Sequence, residues 1–127
     1  MTLIDDFDVY GHLDYVVRYC PSGEKIFRMS DYKEVFEQIF KEIIPKGKGI
    51  EINTGSLYKN MSYAHPHMDI LKLYKDMGGE IITVGSDAHK PEYLCYDFET
   101  YARDALTSLG YRYYCTFKNR KPEFNPL

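Results

Sequence analysis

Apolar residues recur at helical spacing in three stretches of the chain. Each stretch shows the i, i+3, i+4 stripe of an amphipathic helix, with charged residues between the apolar positions. The predicted helices cover residues 31–44, 69–77 and 98–109. Ser30 is a suitable N-cap for the first helix, and Pro45 and Gly47 mark its end. The chain is therefore predicted to hold three helices, separated by segments of a different pattern.

The segments around these helices carry short β-prone runs that are bounded by glycine or polar residues. The predicted strands cover residues 7–10, 49–53, 80–84 and 111–117, and a polar tail follows the last of them. Strands thus alternate with helices, and the connections are long enough for parallel crossovers. The fold class indicated is α/β with a parallel sheet. Four such strands with three helices amount to about half of a closed (β/α) barrel.

Polar residues are present at the carboxyl ends of three of the predicted strands. The three sets are His12-Leu13-Asp14, Glu51-Ile52-Asn53 and Ser86-Asp87-Ala88-His89. In parallel α/β folds the carboxyl ends of the strands meet on one face, so these sets should converge. Imidazole and carboxylate groups suit zinc, manganese and iron. The pattern predicts a divalent-metal site with Asp87 and His89 as the first choice of ligands and His12 as the third.

Each of these residues also has a structural interpretation. A single Asp after a strand, such as Asp87, is more often a helix N-cap or a turn residue than a ligand. Arg18 is either a surface charge or a guanidinium that holds a phosphate through paired hydrogen bonds. His65 and His67 have HxH spacing but lie away from a strand end, so we expect them to be structural or solvent-exposed. Glu51 lies within a strand and is expected to support a ligand by hydrogen bonding.

Composition and charge narrow the class of protein. The chain has 127 residues, of which 44% are hydrophobic and 28% charged, as in an ordinary globular domain. Its net charge of −3 is spread without a basic stripe, so we expect no nucleic-acid partner. No apolar run is long enough for a membrane span. Cys20, Cys95 and Cys115 form no CxxC pair, which indicates reduced thiols in a cytoplasmic protein.

Several motifs together resemble the second half of a known family. They are GHLD at residues 11–14, EINT at residues 51–54, GSDAH at residues 85–89 and FKNRKP at residues 117–122. The set is similar to that of the PHP (polymerase and histidinol phosphatase) family, and closest in pattern to its histidinol-phosphate phosphatases. GSDAH after an apolar strand is the most specific of the four motifs, and the resemblance spans nearly the whole chain.

The resemblance implies a fold, a chemistry and a set of roles. The fold is a distorted (β/α)7 barrel of the TIM type, of which residues 1–127 would form the C-terminal half. The activity is metal-dependent hydrolysis of a small phosphomonoester, histidinol phosphate, in histidine biosynthesis. By motif, His12, Asp87 and His89 would be metal ligands, with Asp87 and His89 counted as catalytic. Arg18 would contact the substrate phosphate.

In the family, further ligands come from the first half of the chain, including an opening HxH motif, another histidine and a bridging glutamate. This sequence lacks counterparts of those motifs, so we expect it to supply only part of the site and to pair with an N-terminal half or with itself. Two other functions stay open at this stage. One is a PHP-type phosphodiesterase or nuclease, and the other is a half-barrel without catalytic activity that serves assembly.

Overall fold

Three strands form a parallel sheet at the centre of the protein. The computed structural model describes residues 5–20 and 27–127. Strand β1 (Val9–Tyr10), strand β2 (Gly49–Asn53) and strand β3 (Ile82–Gly85) lie in the order β1-β2-β3. Tyr10 is paired with Ile50, and Asn53 with Gly85. The predicted parallel sheet is confirmed for these three strands, and their carboxyl ends lie at the same edge.

Apolar side chains on β2 and on the neighbouring helices build the core. Ile50 and Ile52 of β2 have no exposed surface. Helix α1 (Met29–Ile43) and helix α2 (Met68–Asp76) contact each other and direct buried residues toward the sheet. Phe40 of α1 and Tyr74 of α2 meet edge to face, with ring centroids 5.1 Å apart. Within residues 5–20 and 27–127, no helix combines the length and apolarity that a bilayer crossing requires.

The helices are confirmed, but two details differ from the sequence analysis. Helix α1 begins at Met29, with Arg28 at the N-cap position, so the predicted cap at Ser30 is wrong. The Ser30 hydroxyl lies inside the first turn and contacts the Asp31 carboxylate. The third helix is split into a π-helical turn (Phe98–Ala102) and helix α3 (Arg103–Ser108).

The predicted fourth parallel strand is wrong. Strand β4 (Tyr113–Lys118) pairs antiparallel with strand β5 (Lys121–Pro126), which occupies the segment predicted to be a polar tail. The turn between them consists of Asn119 and Arg120, both with positive φ, at 50° and 63°. Two consecutive residues in this conformation form the tight turn that matches the twist of a hairpin. Strands β4 and β5 therefore form a β-hairpin.

Lys48 and Arg120 help to anchor the segment before β1. Strand β1 itself shares only two residue pairs with β2. The Lys48 ammonium is buried, donates to the Phe7 carbonyl at 2.9 Å and lies 3.1 Å from an Asp5 carboxylate oxygen. Its hydrogen bond lowers the pKa of the Asp5 carboxyl. From the hairpin turn, the Arg120 guanidinium donates to Asp8 at 3.2 Å and also to Asp6. The chain entering β1 is thus held by side chains as well as by the strand pairing.

Two buried tyrosines connect α2 and the segment after α3 to the chain around β3. The Tyr74 hydroxyl donates to the Ile81 carbonyl at 3.1 Å, and the Tyr111 hydroxyl donates to the Gly79 carbonyl at 2.8 Å. Both residues are less than a tenth exposed. Burial raises the pKa of both phenols well above its ordinary value. The folded protein therefore keeps these protons at a pH where the unfolded chain loses them.

We predict a loss of stability in alkali that depends on these two phenols. Above about pH 10 the unfolded chain releases the protons, so the free energy of unfolding should fall by roughly 1 kcal/mol per tyrosine by about pH 11. Urea unfolding at a series of pH values measures this free energy of unfolding. The Tyr74→Phe/Tyr111→Phe variant should show a shallower decline of the free energy of unfolding with pH. Tyr113→Phe, at a residue 47% exposed, is the matched control. An equal slope in all three proteins would contradict the prediction.

Candidate functional site

His12, which comes first along the chain among the predicted ligands, lies in a strained turn directly after β1. His12 and Asp14 both have positive φ, at 57° and 56°, although neither is glycine. Such conformations cost free energy and are concentrated at functional sites. The His12 side chain is 44% exposed, and its ring meets the edge of Tyr15 with centroids 4.9 Å apart. The turn thus presents an accessible imidazole at the carboxyl edge of the sheet.

Glu51 extends from the central strand toward this imidazole. One of its carboxylate oxygens lies 3.6 Å from His12 Nδ1 and accepts a hydrogen bond from the Asn53 side-chain amide at 3.3 Å. A methyl group on Gly85 would overlap this carboxylate, and one on Gly11 would lie 3.1 Å from it. Gly11, directly after β1, and Gly85, on β3, therefore leave the space that the carboxylate occupies. This geometry agrees with the predicted supporting role of Glu51, which stays a prediction.

Asp87 lies in a second strained turn, after β3, with φ of 50°. Its carboxylate is 3.4 Å from the Lys59 ammonium, and its backbone carbonyl accepts a hydrogen bond from the Tyr58 hydroxyl at 2.7 Å. The next helical turn, Pro91–Tyr93, has Lys90 at its N-cap position. Asp87 therefore does not cap that turn, and its side chain faces the loop after β2.

His89 is oriented by the backbone of the same turn. Its Nδ1 lies 2.8 Å from the Asp87 carbonyl oxygen, which can only accept, so Nδ1 carries the proton. In a neutral ring, Nε2 then holds the lone pair that a metal ion binds. The side chain is exposed. Both the donor type and the orientation of His89 fit a metal such as zinc.

The predicted ligands lie on one edge, but His12 is separate from Asp87 and His89. His12 follows β1 and Asp87 follows β3, so the width of β2 separates them. Among the residues that the structure describes, no three His, Cys, Asp or Glu side chains lie close enough together to hold a metal ion. In the described chain, His12 therefore lies on one side of β2, and Asp87 and His89 lie on the other side, at the same edge of the sheet.

Arg18 is one aromatic ring away from His12. It lies in the 3₁₀ helix Tyr15–Tyr19, is exposed, and donates a hydrogen bond to the Tyr15 hydroxyl. Its guanidinium carbon is 5.5 Å from the Tyr15 ring centroid and 5.7 Å from that of Tyr19. Tyr15 therefore connects Arg18 with His12. The predicted contact with a phosphate stays a prediction.

The HxH pair contributes differently from what its spacing suggests. His67 lies at the N-cap position of α2, where its Nδ1 accepts a hydrogen bond from the Asp69 amide at 3.2 Å. His65 has no exposed surface, so the structural alternative is confirmed and the solvent-exposed one is wrong. Its Nδ1 lies 2.6 Å from a carboxylate oxygen of Asp14. His65 and Asp14 are 51 positions apart in the sequence, and no sequence pattern indicated their contact.

Comparison with known proteins identifies three similar sequences, although no family model matches the chain. It is 31% identical over 123 residues to the histidinol-phosphatase of Lactococcus lactis, covering 95% of this chain and 44% of that relative. It is 32% identical over 107 residues to a probable histidinol-phosphatase of Thermotoga maritima, covering 84% and 43%. A probable histidinol-phosphatase of Clostridium acetobutylicum is 30% identical over 92 residues, with coverages of 72% and 36%. The chain spans less than half the length of these curated relatives.

One solved structure shows the same arrangement of elements. It is the histidinol phosphate phosphatase of Lactococcus lactis, in complex with zinc, L-histidinol and phosphate. The TM-score is 0.70 at 27% sequence identity, and the match covers 95% of this chain and 45% of that one. The predicted resemblance to histidinol-phosphate phosphatases is confirmed at the level of these relatives.

The fit of Glu51 between two glycines predicts a specific coupling. The three atoms nearest to a Gly85 methyl, apart from the adjacent residues, all belong to Glu51. Gly85→Ala should therefore displace the carboxylate from Asn53 and His12 and lower the free energy of unfolding by about 1 kcal/mol, the usual net value of one hydrogen bond. In a Glu51→Ala background the same substitution should cost almost nothing. Urea unfolding of the four proteins gives the coupling energy, and equal costs in both backgrounds would contradict it.

Proposed function

We propose that the chain is the C-terminal half of a PHP-type phosphatase domain that hydrolyses histidinol phosphate with the help of divalent metal ions. The sequence similarity carries the proposal, and the geometry of the sheet edge supports it. Over 95% of its length the chain is similar to a histidinol-phosphatase, and its polar turns after β1 and β3 lie at the common carboxyl edge of a parallel sheet. In α/β folds this edge is where ligands bind. Residues 1–127 would form about half of a (β/α)7 barrel.

In this proposal the residues at the edge have different roles. His12, Asp87 and His89 bind divalent metal ions, which are zinc, manganese or iron, and Asp87 and His89 are catalytic through that contact. A bound divalent ion supplies Lewis acidity toward the phosphoryl oxygens and lowers the pKa of a water. Arg18 binds the substrate phosphate, because its planar guanidinium matches two phosphoryl oxygens. The solved relative carries zinc, L-histidinol and phosphate, which supports this assignment of ligand chemistry.

The chain would provide only part of such a site. Its separate donors at the sheet edge would be completed by ligands from an N-terminal half or from a second copy of the chain. Within residues 5–20 and 27–127, the outer edge of β1 has no ladder partner. Unpaired edges of this kind favour pairing with another chain. The substrate in this proposal is a small phosphorylated molecule, without a nucleic acid or a membrane as partner.

The metal role predicts a change in metal content. Asp87→Ala and His89→Ala should each lower the zinc, manganese or iron bound per chain, because each removes one donor. Elemental analysis after dialysis against each metal measures it, with circular dichroism to check that the helical signal persists. Asp97→Ala and His67→Ala are the matched controls, since Asp97 also has positive φ and neither residue belongs to the proposed ligands. Unchanged stoichiometry in both ligand variants would remove Asp87 and His89 from the site.

The phosphate role of Arg18 predicts weaker anion binding. Arg18→Lys keeps the charge but loses the fork that holds two oxygens, so the zinc-loaded protein should bind histidinol phosphate about tenfold more weakly. Isothermal titration calorimetry measures the dissociation constant. Arg103→Lys is a suitable control, because Arg103 is exposed and paired with Glu99 on its own helical segment. Equal affinities of the wild-type protein, Arg18→Lys and Arg103→Lys would contradict the role of Arg18 in phosphate binding.

A further inference from the structure

Asp14 and His65 form a fully buried pair behind the turn that carries His12. Their side chains are 1% and 0% exposed, and His65 Nδ1 lies 2.6 Å from one carboxylate oxygen of Asp14. The other oxygen accepts a hydrogen bond from the His67 amide at 2.9 Å. Both carboxylate oxygens are therefore held by the segment before α2. The residue that supplies them is itself in the left-handed conformation, two positions after His12.

His65 is also fixed to the end of the central strand. Its amide donates to the Asn53 carbonyl at 3.0 Å, and its carbonyl accepts from the Asn53 amide at 2.6 Å. The Tyr101 phenol oxygen, in the π-helical turn, forms a hydrogen bond with the backbone of the preceding residue, Ala64. Pairing with Asn53 thus fixes the backbone of His65 relative to β2. Because the His65 side chain contacts Asp14, the turn after β1 is also fixed relative to β2.

The cost of this arrangement suggests that it serves more than packing. With Nδ1 directed at Asp14, the His65 Nε2 atom is buried and has no hydrogen-bond partner among the described residues. An unpaired buried polar atom is unfavourable by about 1–3 kcal/mol, and apolar side chains often stabilise a core as well as a buried polar pair does. The polar pair instead supplies a directional contact that an apolar pair lacks.

We propose that Asp14 and His65 are positioning residues for His12. By holding Asp14 in the left-handed conformation, His65 keeps the turn of residues 11–14 in the shape that presents the His12 imidazole beside Glu51. The consequence for metal binding rests on the proposed function, in which His12 is a ligand. The effect on the turn itself does not, because it concerns the shape of the chain without any metal.

The test uses variants that change the pair but preserve the backbone preferences. Asp14→Asn keeps a residue that tolerates positive φ, yet its amide offers only one acceptor to the two donors of His65 and His67. His65→Leu removes the donor and keeps an apolar side chain. His65→Asn is the rescue variant, because its side-chain amide can place a donor where Nδ1 was. Asp97→Asn, at another left-handed aspartate, is the control.

The first measurement needs no metal. Carbon-13 chemical shifts of the His12 Cα and Cβ report its left-handed conformation in the metal-free chain. We expect these shifts to move toward ordinary values in Asp14→Asn and His65→Leu, and to return in His65→Asn. The shifts of Asp87, in the other strained turn, should stay in place in all variants. Unchanged His12 shifts in both pair variants would overturn the proposal.

The second measurement uses Co²⁺ alone as a probe. Its visible absorption reports the ligands and geometry of each bound ion, so it separates a misplaced ligand from a smaller folded fraction. Asp14→Asn and His65→Leu should bind Co²⁺ about 10-fold to 100-fold more weakly, with a spectrum approaching that of His12→Ala. If His12→Ala has the wild-type spectrum, the metal role of His12 fails, while the chemical shifts still decide the positioning role. If only His12→Ala changes the spectrum, the pair does not position the ligand.

Discussion

The parallel register of β2 with both of its neighbours is the constraint on which the rest of the structure depends. It aligns Tyr10 with Ile50 and Asn53 with Gly85, so that the chain leaves β1, β2 and β3 at one edge. Ile50 and Ile52 of β2 are completely buried, and a one-residue slip would reverse the faces of the β2 side chains. Glu51 would then no longer point between the flanking glycines. The candidate site is in this sense a consequence of how β2 is packed.

The loop after β2 extends this control to the two turns beside it. On one side, Thr54 donates to the Gly85 carbonyl at 3.3 Å and Tyr58 donates to the Asp87 carbonyl. On the other side, His65 contacts Asp14. The two left-handed turns are therefore held by a single stretch of chain that lies between them. Strain in these turns can persist because contacts from outside each turn determine its shape.

The sequence predicted most of the features that depend on neighbouring residues, but it missed two local features and a contact between distant residues. Apolar periodicity identified the helices and the three parallel strands, and polar residues after strands identified the edge that carries His12, Asp87 and His89. The hairpin was missed because Asn119 and Arg120 lack the glycine that usually marks such a turn. The Ser30 cap was wrong because the helix begins two residues earlier than predicted, at Met29. The contact between Asp14 and His65 joins two separate loops, and no local pattern reports it.

The ion pairs before β1 have a consequence for how faithfully that strand is aligned. Two residue pairs are too few to define a register strongly, so Lys48 and Arg120 contribute to the choice of alignment from the far end of the strand. Lys48 is sheltered from solvent, whereas Arg120 and its carboxylates are open to dissolved ions that screen their attraction. The alignment of the chain leading to His12 is therefore linked to the ionic composition of the surrounding solution, although the histidine itself is remote from both cations.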